Sequence, residues 1–361
     1  MTTCKLCVMS TETDPLLRMG DDGVCNRCAD WERDWVQHLE KVKEYPSTLN
    51  RVKEMGRGRR WDAVIGLSGG ADSSWAYWLA RLNGLRVLPL HFDNGYDLPI
   101  AVENLKRLTE HWGDELCNIP VNGPQFYAMQ HAFLKSGTTG LEIPTDHAIK
   151  AVTYETARLH GVPTILNGTN LATESHGSPA WTQGHADWTY ISGVARRYGV
   201  DVDGFHHYTL WDKGGWMSRH WWLSLLDYTD YHRQRAIDYM AETCGYVDYG
   251  FKHMESRITR FLHGYIIPRR FGWDTRRSRM SAMIRSGQMT REDALEMLRQ
   301  PAYPFEEQMR DKQILCHNLG ITAEDFEALM KLPLRHYGDY PNMTKDPIQK
   351  AMLKIQWRLR R

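Results

Sequence analysis

Six residues of this 361-residue chain, Ser68-Gly69-Gly70-Ala71-Asp72-Ser73, bring together the groups needed to hold an anion. Two adjacent glycines let the backbone turn tightly and present its N–H groups. The serine hydroxyls add donors, and Asp72 is a candidate to hold a magnesium ion against phosphate oxygens. The apolar run Ala63-Val64-Ile65-Gly66-Leu67 leads into this stretch, and Ser74-Trp75-Ala76-Tyr77-Trp78-Leu79-Ala80 follows it. The first suits a buried parallel strand, the second a helix whose positive end faces the same anion. A plain strand–turn–helix with glycines chosen for packing is the alternative. No Gly-Lys-Ser/Thr follows, so this is not a Walker loop.

A second chemistry lies at the start of the chain. Cys4-Lys5-Leu6-Cys7 and Cys25-Asn26-Arg27-Cys28 form two Cys-x-x-Cys pairs seventeen residues apart. That spacing places four thiolates around one zinc, a closed and therefore structural site. A redox dithiol and an iron–sulfur cluster are the alternatives. Cys117, Cys244 and Cys316 are isolated and read as small buried residues. The N-terminus has no signal-peptide hydrophobic region and no apolar stretch approaches a membrane span, so a cytoplasmic protein with reduced thiols is expected. Lys+Arg 45 against Asp+Glu 44 argues against a broad nucleic-acid-binding surface.

The elements that must position these groups follow from pattern. Residues 29–55 read as an amphipathic connector. Arg86–Tyr96 is a second buried strand ending in Asp93-Asn94-Gly95, where Asp93 is equally a turn former and a ribose or metal contact. Glu115–Val121 is a short third strand, Thr145 caps a helix reaching about His160, and Val162–Asn167 is a further strand ending in Gly168-Thr169-Asn170. Glu174, just beyond, is a candidate second acid or a solvated helix-start glutamate. Alternating strands and helices imply a parallel, doubly wound α/β sheet. The expected organisation is a zinc ribbon and connector over 1–45, a nucleotide domain over 56–255 and a helical C-terminal region over 256–361.

Six of fourteen tryptophans fall between Trp181 and Trp222 and read chiefly as core or contact residues. Lys252-His-Met-Glu-Ser-Arg-Ile-Thr-Arg260 is a dense polar run. On a helix it would project Lys252, Glu255, Ser256 and Thr259 from one face. Lys252 could neutralise phosphate charge, Glu255 hold an amine or ammonia, and His253 move protons. A solvated helix with internal ion pairs is the bland alternative. Thr290 and Thr322, each followed three residues later by Asp, are helix caps, and Asp346-Pro347 opens a last helix running to Arg361.

The Ser68–Ser73 stretch resembles the pyrophosphate (PP) loop of ATP pyrophosphatases, which cleave ATP between its α and β phosphates. Three blocks together resemble the N-acetyl sugar amidotransferases of surface-polysaccharide (LPS O-antigen or related glycan) biosynthesis. These are the cysteine pairs with their neighbours, the Ser68–Ser73 loop, and Lys252–Phe261 continuing to Pro268–Arg277 and Gly287–Leu295. The similarity spans nearly the whole chain, although residues 200–250 match no pattern. It implies an ATP- and magnesium-dependent ligase with a structural zinc, acting on an N-acetylated and nucleotide-linked sugar. Asp72, Glu174, Lys252 and Glu255 are then the candidate catalytic residues. Ser68, Gly69, Gly70, Asp72, Ser73, Asp93, Gly168 and Thr169 are candidates for holding the nucleotide, and Cys4, Cys7, Cys25 and Cys28 for holding zinc. No cysteine follows Met1 and none sits in a nucleophile elbow, so ammonia is expected from separate partners of the glutaminase and cyclase type, as in the family. A transfer-RNA-modifying pyrophosphatase of the thiolation type is the rival reading, and a non-catalytic nucleotide-binding protein a third.

Overall fold

The computed structural model describes residues 2–358 apart from 182 and 251. Five short strands form one parallel sheet: β1 (Ala63–Gly66), β2 (Val87–Asp93), β3 (Cys117–Pro120), β4 (Thr164–Asn167) and β5 (Trp221–Ser224). Their order is β3-β2-β1-β4-β5, with Ala63 opposite both Val87 and Thr164. The winding direction therefore reverses at β1, and the loops after β1 and β4 flank the crevice where such sheets bind ligands.

Helices α1 (Asn26–Lys43) and α2 (Tyr45–Met55) connect the N-terminal lobe to the sheet. Then come α3 (Ala71–Leu82), α4 (Pro99–Trp112), α5 (Gly123–Ser136), α6 (Ile143–Leu159), α7 (Leu171–Glu174), α8 (Trp188–Arg197), α9 (Leu210–Arg219) and α10 (Arg233–Cys244). The C-terminal third is α11 (Arg257–Phe261), a π-helical turn over Leu262–Ile266, α12 (Ile267–Phe271), α13 (Arg276–Arg285), α14 (Arg291–Arg299), α15 (Phe305–Leu319), α16 (Ala323–Met330) and α17 (Pro347–Arg358). Alternation along β1 sends Ala63 and Ile65 toward α3, α4 and α10, and Val64 toward Tyr154 and Ala157 of α6. With both faces covered, the strands are nearly continuous apolar runs. A second core joins Phe126 and Phe133 of α5 and Tyr190 of α8 to Phe261, Leu315 and Phe326, so the C-terminal helices share packing with α5 and α8. Among the described residues no helix is long and apolar enough to cross a membrane.

Several elements depart from the sequence reading. Helix α3 starts at Ala71 rather than Ser74, because Gly70 adopts the extended N-cap conformation (φ −75°, ψ 154°). Asp72 and Ser73 therefore lie in its first turn. Helix α6 starts at Ile143, with a proline in its first turn, and Thr145 is buried inside it rather than capping it. Lys252–Ser256 is not helical. Asp97 and Ser256 form an antiparallel bridge, Leu98 N–H donates to Glu255 O (2.9 Å), and Arg257 N–H donates to Tyr96 O (2.8 Å). Lys252 and His253 lie in a turn, and these bonds tie Glu255–Arg257 to the Tyr96–Leu98 stretch until α11 begins at Arg257, so the expected common face of Lys252, Glu255, Ser256 and Thr259 does not form. Strand β5 falls in the Trp-rich segment, where no strand was read. Thr290 and Thr322 do cap α14 and α16. Helix α17 opens at Pro347, and the basic end at 359–361 lies outside the described residues, as does Phe251.

Candidate active site

The turn between β1 and α3 is built on Gly69, whose backbone is left-handed (φ +76°) and whose absent side chain would strike the Ala101 carbonyl. The Ser68 hydroxyl accepts from Gly70 N–H (3.2 Å) and lies 3.2 Å from Ser73 Oγ. Gly168, past the end of β4, packs against this turn. A Cβ there would stand 2.6 Å from Ser73 N, so only glycine lets the second loop reach the N-terminus of α3. The first N–H of α3, from Ala71, donates to the Tyr249 hydroxyl (2.9 Å).

At the mouth of this turn three charged side chains meet. Lys252 Nζ pairs with Asp72 Oδ2 and with Glu174 Oε1 (2.6 Å), and donates to Thr173 Oγ1 (2.9 Å). Asp72 Oδ1 also accepts from the Tyr231 hydroxyl. Lys252 is only 5% exposed, so its charge is balanced by these carboxylates rather than by water. Glu255 comes in from the other side, with Oε1 2.6 Å from where a Gly70 side chain would begin. Its Oε2 is buried without a hydrogen-bond partner, and burial, with the Asp72 charge, raises its pKa. The structure thus brings Asp72, Glu174, Lys252 and Glu255 to one place beside Ser68, Gly69, Gly70, Ser73 and Gly168.

Two candidates sit differently. Asp93 Oδ1 accepts from Gly95 N–H (3.0 Å), the turn-forming arrangement, with His91 and Asp97 close by. His91 links this group to the end of the strand before the Ser68–Ser73 turn through Nδ1 and Leu67 O (2.8 Å). The Thr169 hydroxyl is engaged by Asn167 and by Ser224 Oγ (2.9 Å) of β5.

Sequence reasoning missed Tyr231, Tyr249, Glu142, His263 and Arg279. Glu142 accepts from Thr259 Oγ1 (2.6 Å), and burial, with the Asp146 charge, raises its pKa to about 8. His253 has a left-handed backbone (φ +64°) and lies 3.7 Å from Glu174. Its ring is 6.3 Å from that of His263, which stands on the π-helical turn. Burial, and then the Arg279 charge, pushes both imidazoles well below their ordinary pKa. None of the five had a signal in spacing. Glu142 precedes a helix by one residue, and the tyrosines belong to the unpatterned 200–250 region.

The four N-terminal thiols are buried and free, with Sγ separations of 3.9 Å (Cys4–Cys28), 3.7 Å (Cys7–Cys25) and 3.7 Å (Cys25–Cys28). Zn–S bonds of about 2.3 Å in a tetrahedron require edges of about 3.8 Å, so the donor set fits zinc closely. The lobe is held by Arg291, which donates to Cys7 O and Cys4 O (both 3.1 Å), and by Trp181, whose indole N–H donates to Thr13 O (2.6 Å). Trp216 and Trp222 stack on Tyr154, while Trp211 is exposed, so the Trp-rich segment is largely packing.

Residues 255–355 match a family model described as the C-terminal domain of WbpG-like LPS biosynthesis proteins. No curated protein matches the chain. Distant likenesses among solved structures include an NMN synthetase from Francisella tularensis, 22% identical over 36% of this chain and 56% of that one (TM-score 0.30). An NH3-dependent NAD synthetase from Campylobacter jejuni is 17% identical over 49% and 81% (TM-score 0.30). A glutamine-dependent NAD+ synthetase from Acinetobacter baumannii is 13% identical over 83% and 48% (TM-score 0.36). The chain spans little more than half the length of the first of these and about half of the third. The chain thus joins a parallel doubly wound sheet with a glycine turn after its first strand to a C-terminal segment similar to that of WbpG-like LPS biosynthesis proteins.

Proposed function

We propose that this chain is an ATP-dependent amidotransferase of LPS or related glycan synthesis. It converts the acetamido group of an N-acetylated, nucleotide-linked sugar to an acetamidino group. The observation that carries this is the junction of Lys252 with Asp72 and Glu174 at the phosphate turn, directly before the segment similar to WbpG-like proteins. An amide is a poor electrophile and must be activated. The acetamido oxygen bonds to the α-phosphorus of ATP as the bond to the β-bridging oxygen breaks, and that electron pair leaves with pyrophosphate. Ammonia then adds to the imidate carbon, the C–O bond breaks, AMP departs and a proton is lost.

The Ser68–Ser73 turn holds the pyrophosphate through backbone N–H groups and hydroxyls. Tyr249 takes the Ala71 N–H in this structure and yields it to a phosphate oxygen. Asp72 and Glu174 are the residues that would hold magnesium, which when bound neutralises phosphate charge. Lys252 then turns its ammonium toward the departing phosphate. Glu255, with an open and weakly acidic oxygen, positions ammonia and accepts its proton. His253 and His263, kept neutral, add no charge that would repel ammonium. The ammonia comes from a separate protein, and the reaction runs in the cytoplasm.

The test is incubation with ATP, ammonium and a panel of N-acetyl sugar nucleotides. AMP should form with a sugar lighter by the difference between O and NH. Absence of AMP with every sugar overturns the assignment. Amidine formation from glutamine by the purified chain alone overturns the separate ammonia source.

A further inference from the structure

Helix α13 stands between the cysteine lobe and the catalytic cluster and touches both. On one face, at i and i+4, Ser281 Oγ accepts from Val8 N–H (3.2 Å) and Arg277 Nη1 donates to Val8 O (2.7 Å). Val8 is fully buried between Cys7 and Met9, in the first metal knuckle. On the opposite face Arg279 Nη1 donates to Lys252 O (3.3 Å). Nearby, Ser278 fills the space beside Gly177, and Ser286 donates to Ala172 O (2.9 Å) in α7. Arg279 therefore projects into the cluster from a helix pinned on two sides.

Its bonding differs from that of Lys252. The lysine is spent on Asp72, Glu174 and Thr173. Among the described residues the Arg279 guanidinium makes only the one bond to a carbonyl, although the charges of Glu174, Glu255, Glu142 and Asp72 all act on it. A planar fork of donors with most of its valence unused, beside a turn built for phosphate, matches a phosphate in two-pronged fashion. A lysine offers only a point charge.

We propose that Arg279 is a catalytic residue that grips α-phosphate oxygens of ATP during transfer, and that Ser281 and Arg277, hooked on Val8, are its positioning residues. This rests on the ATP-cleaving reading above, but nucleotide binding tests it separately. Arg279→Gln should lower kcat for AMP formation roughly a hundredfold, as loss of a transition-state donor does. Guanidinium chloride added to that variant should restore part of the rate and leave the wild type unaffected. Arg279→Lys should remain about tenfold impaired, because charge without the fork is not enough. AMP binding by calorimetry should weaken about tenfold in Arg279→Gln, a readout that needs no turnover.

Ser281→Ala should lower kcat severalfold, with KM for ATP and zinc content unchanged. A kcat for Arg279→Gln within threefold of wild type overturns the catalytic role, as does unaltered AMP binding or a rate loss that guanidinium never rescues. An unchanged kcat in Ser281→Ala, or a loss matched by loss of zinc, overturns the positioning role. Should the wild type release no AMP with any sugar, the amidotransferase reading fails alone, and AMP binding still decides for or against Arg279.

Discussion

Lys252 is a buried cation with two carboxylate partners, and its removal leaves both carboxylates without their ion-pair partner. Lys252→Ala should therefore destabilise the protein by about 3 kcal/mol, measured by denaturant unfolding, and abolish AMP formation. The histidine pair predicts a pH dependence of stability. His253 and His263 have folded pKa values well below the ordinary 6.5, so the unfolded chain takes up protons first as pH falls. Their contribution is present above pH 6.5 and is lost progressively below it. Tm should drop between pH 7.5 and 5.5, and His253→Gln with His263→Gln should flatten that drop; an equal drop in the double variant would refute it. Glu142 works in the opposite sense. Its pKa of about 8 lies above the unfolded value of 4.5, so its favourable contribution is complete below 4.5 and is lost as pH rises through 8. The Tm advantage of Glu142→Gln over wild type should accordingly grow from pH 5 to pH 8.

Elements rather than single groups decide how near the two halves of the site can come. Gly168→Ala places a methyl on the backbone at Ser73, which cannot move without displacing the first turn of α3. Calorimetry should show ATP binding weakened at least tenfold, with zinc content intact; normal affinity would mean the loops are less closely packed than described. The strand–turn–helix around Ser68–Ser73 was legible because apolar run, glycines and hydroxyls all point to one local structure. The cysteine pairs were legible because metal spacing is nearly independent of what lies between. The Lys252–Arg260 run misled because its charge spacing fits one continuous helix, while a turn at Lys252–His253 and the bridge from Asp97 to Ser256 delay the helix to Arg257. No local pattern reports a partner 159 residues away. Strand β5 was hidden for a related reason: Trp221 and Trp222 read as packing, and only pairing with β4 makes them a strand. Arg279 and Tyr231 entered the site through tertiary packing alone.

At the scale of the molecule, the cysteine lobe is a clasp on the C-terminal helices rather than an appendage. Metal analysis should find one zinc per chain. Cys28→Ser should lose it and lower Tm, because folding and metal binding are coupled at such sites; full zinc content in Cys28→Ser would exclude Cys28 as a ligand. The clasp also has a consequence for how the protein is made. Cys4 and Cys7 are synthesised long before the residues that hold them: Arg291 on their carbonyls, and Arg277 and Ser281 on their knuckle. A growing chain can bring its four thiols together early, but it has nowhere to seat that lobe until Arg277, Ser281 and Arg291 have left the ribosome. A chain halted before residue 252 also leaves the Ser68–Ser73 turn without Lys252, Glu255 and Arg279. On the function proposed above, a product stalled before Lys252 would carry the nucleotide turn without the residues assigned to its chemistry, and would waste no ATP.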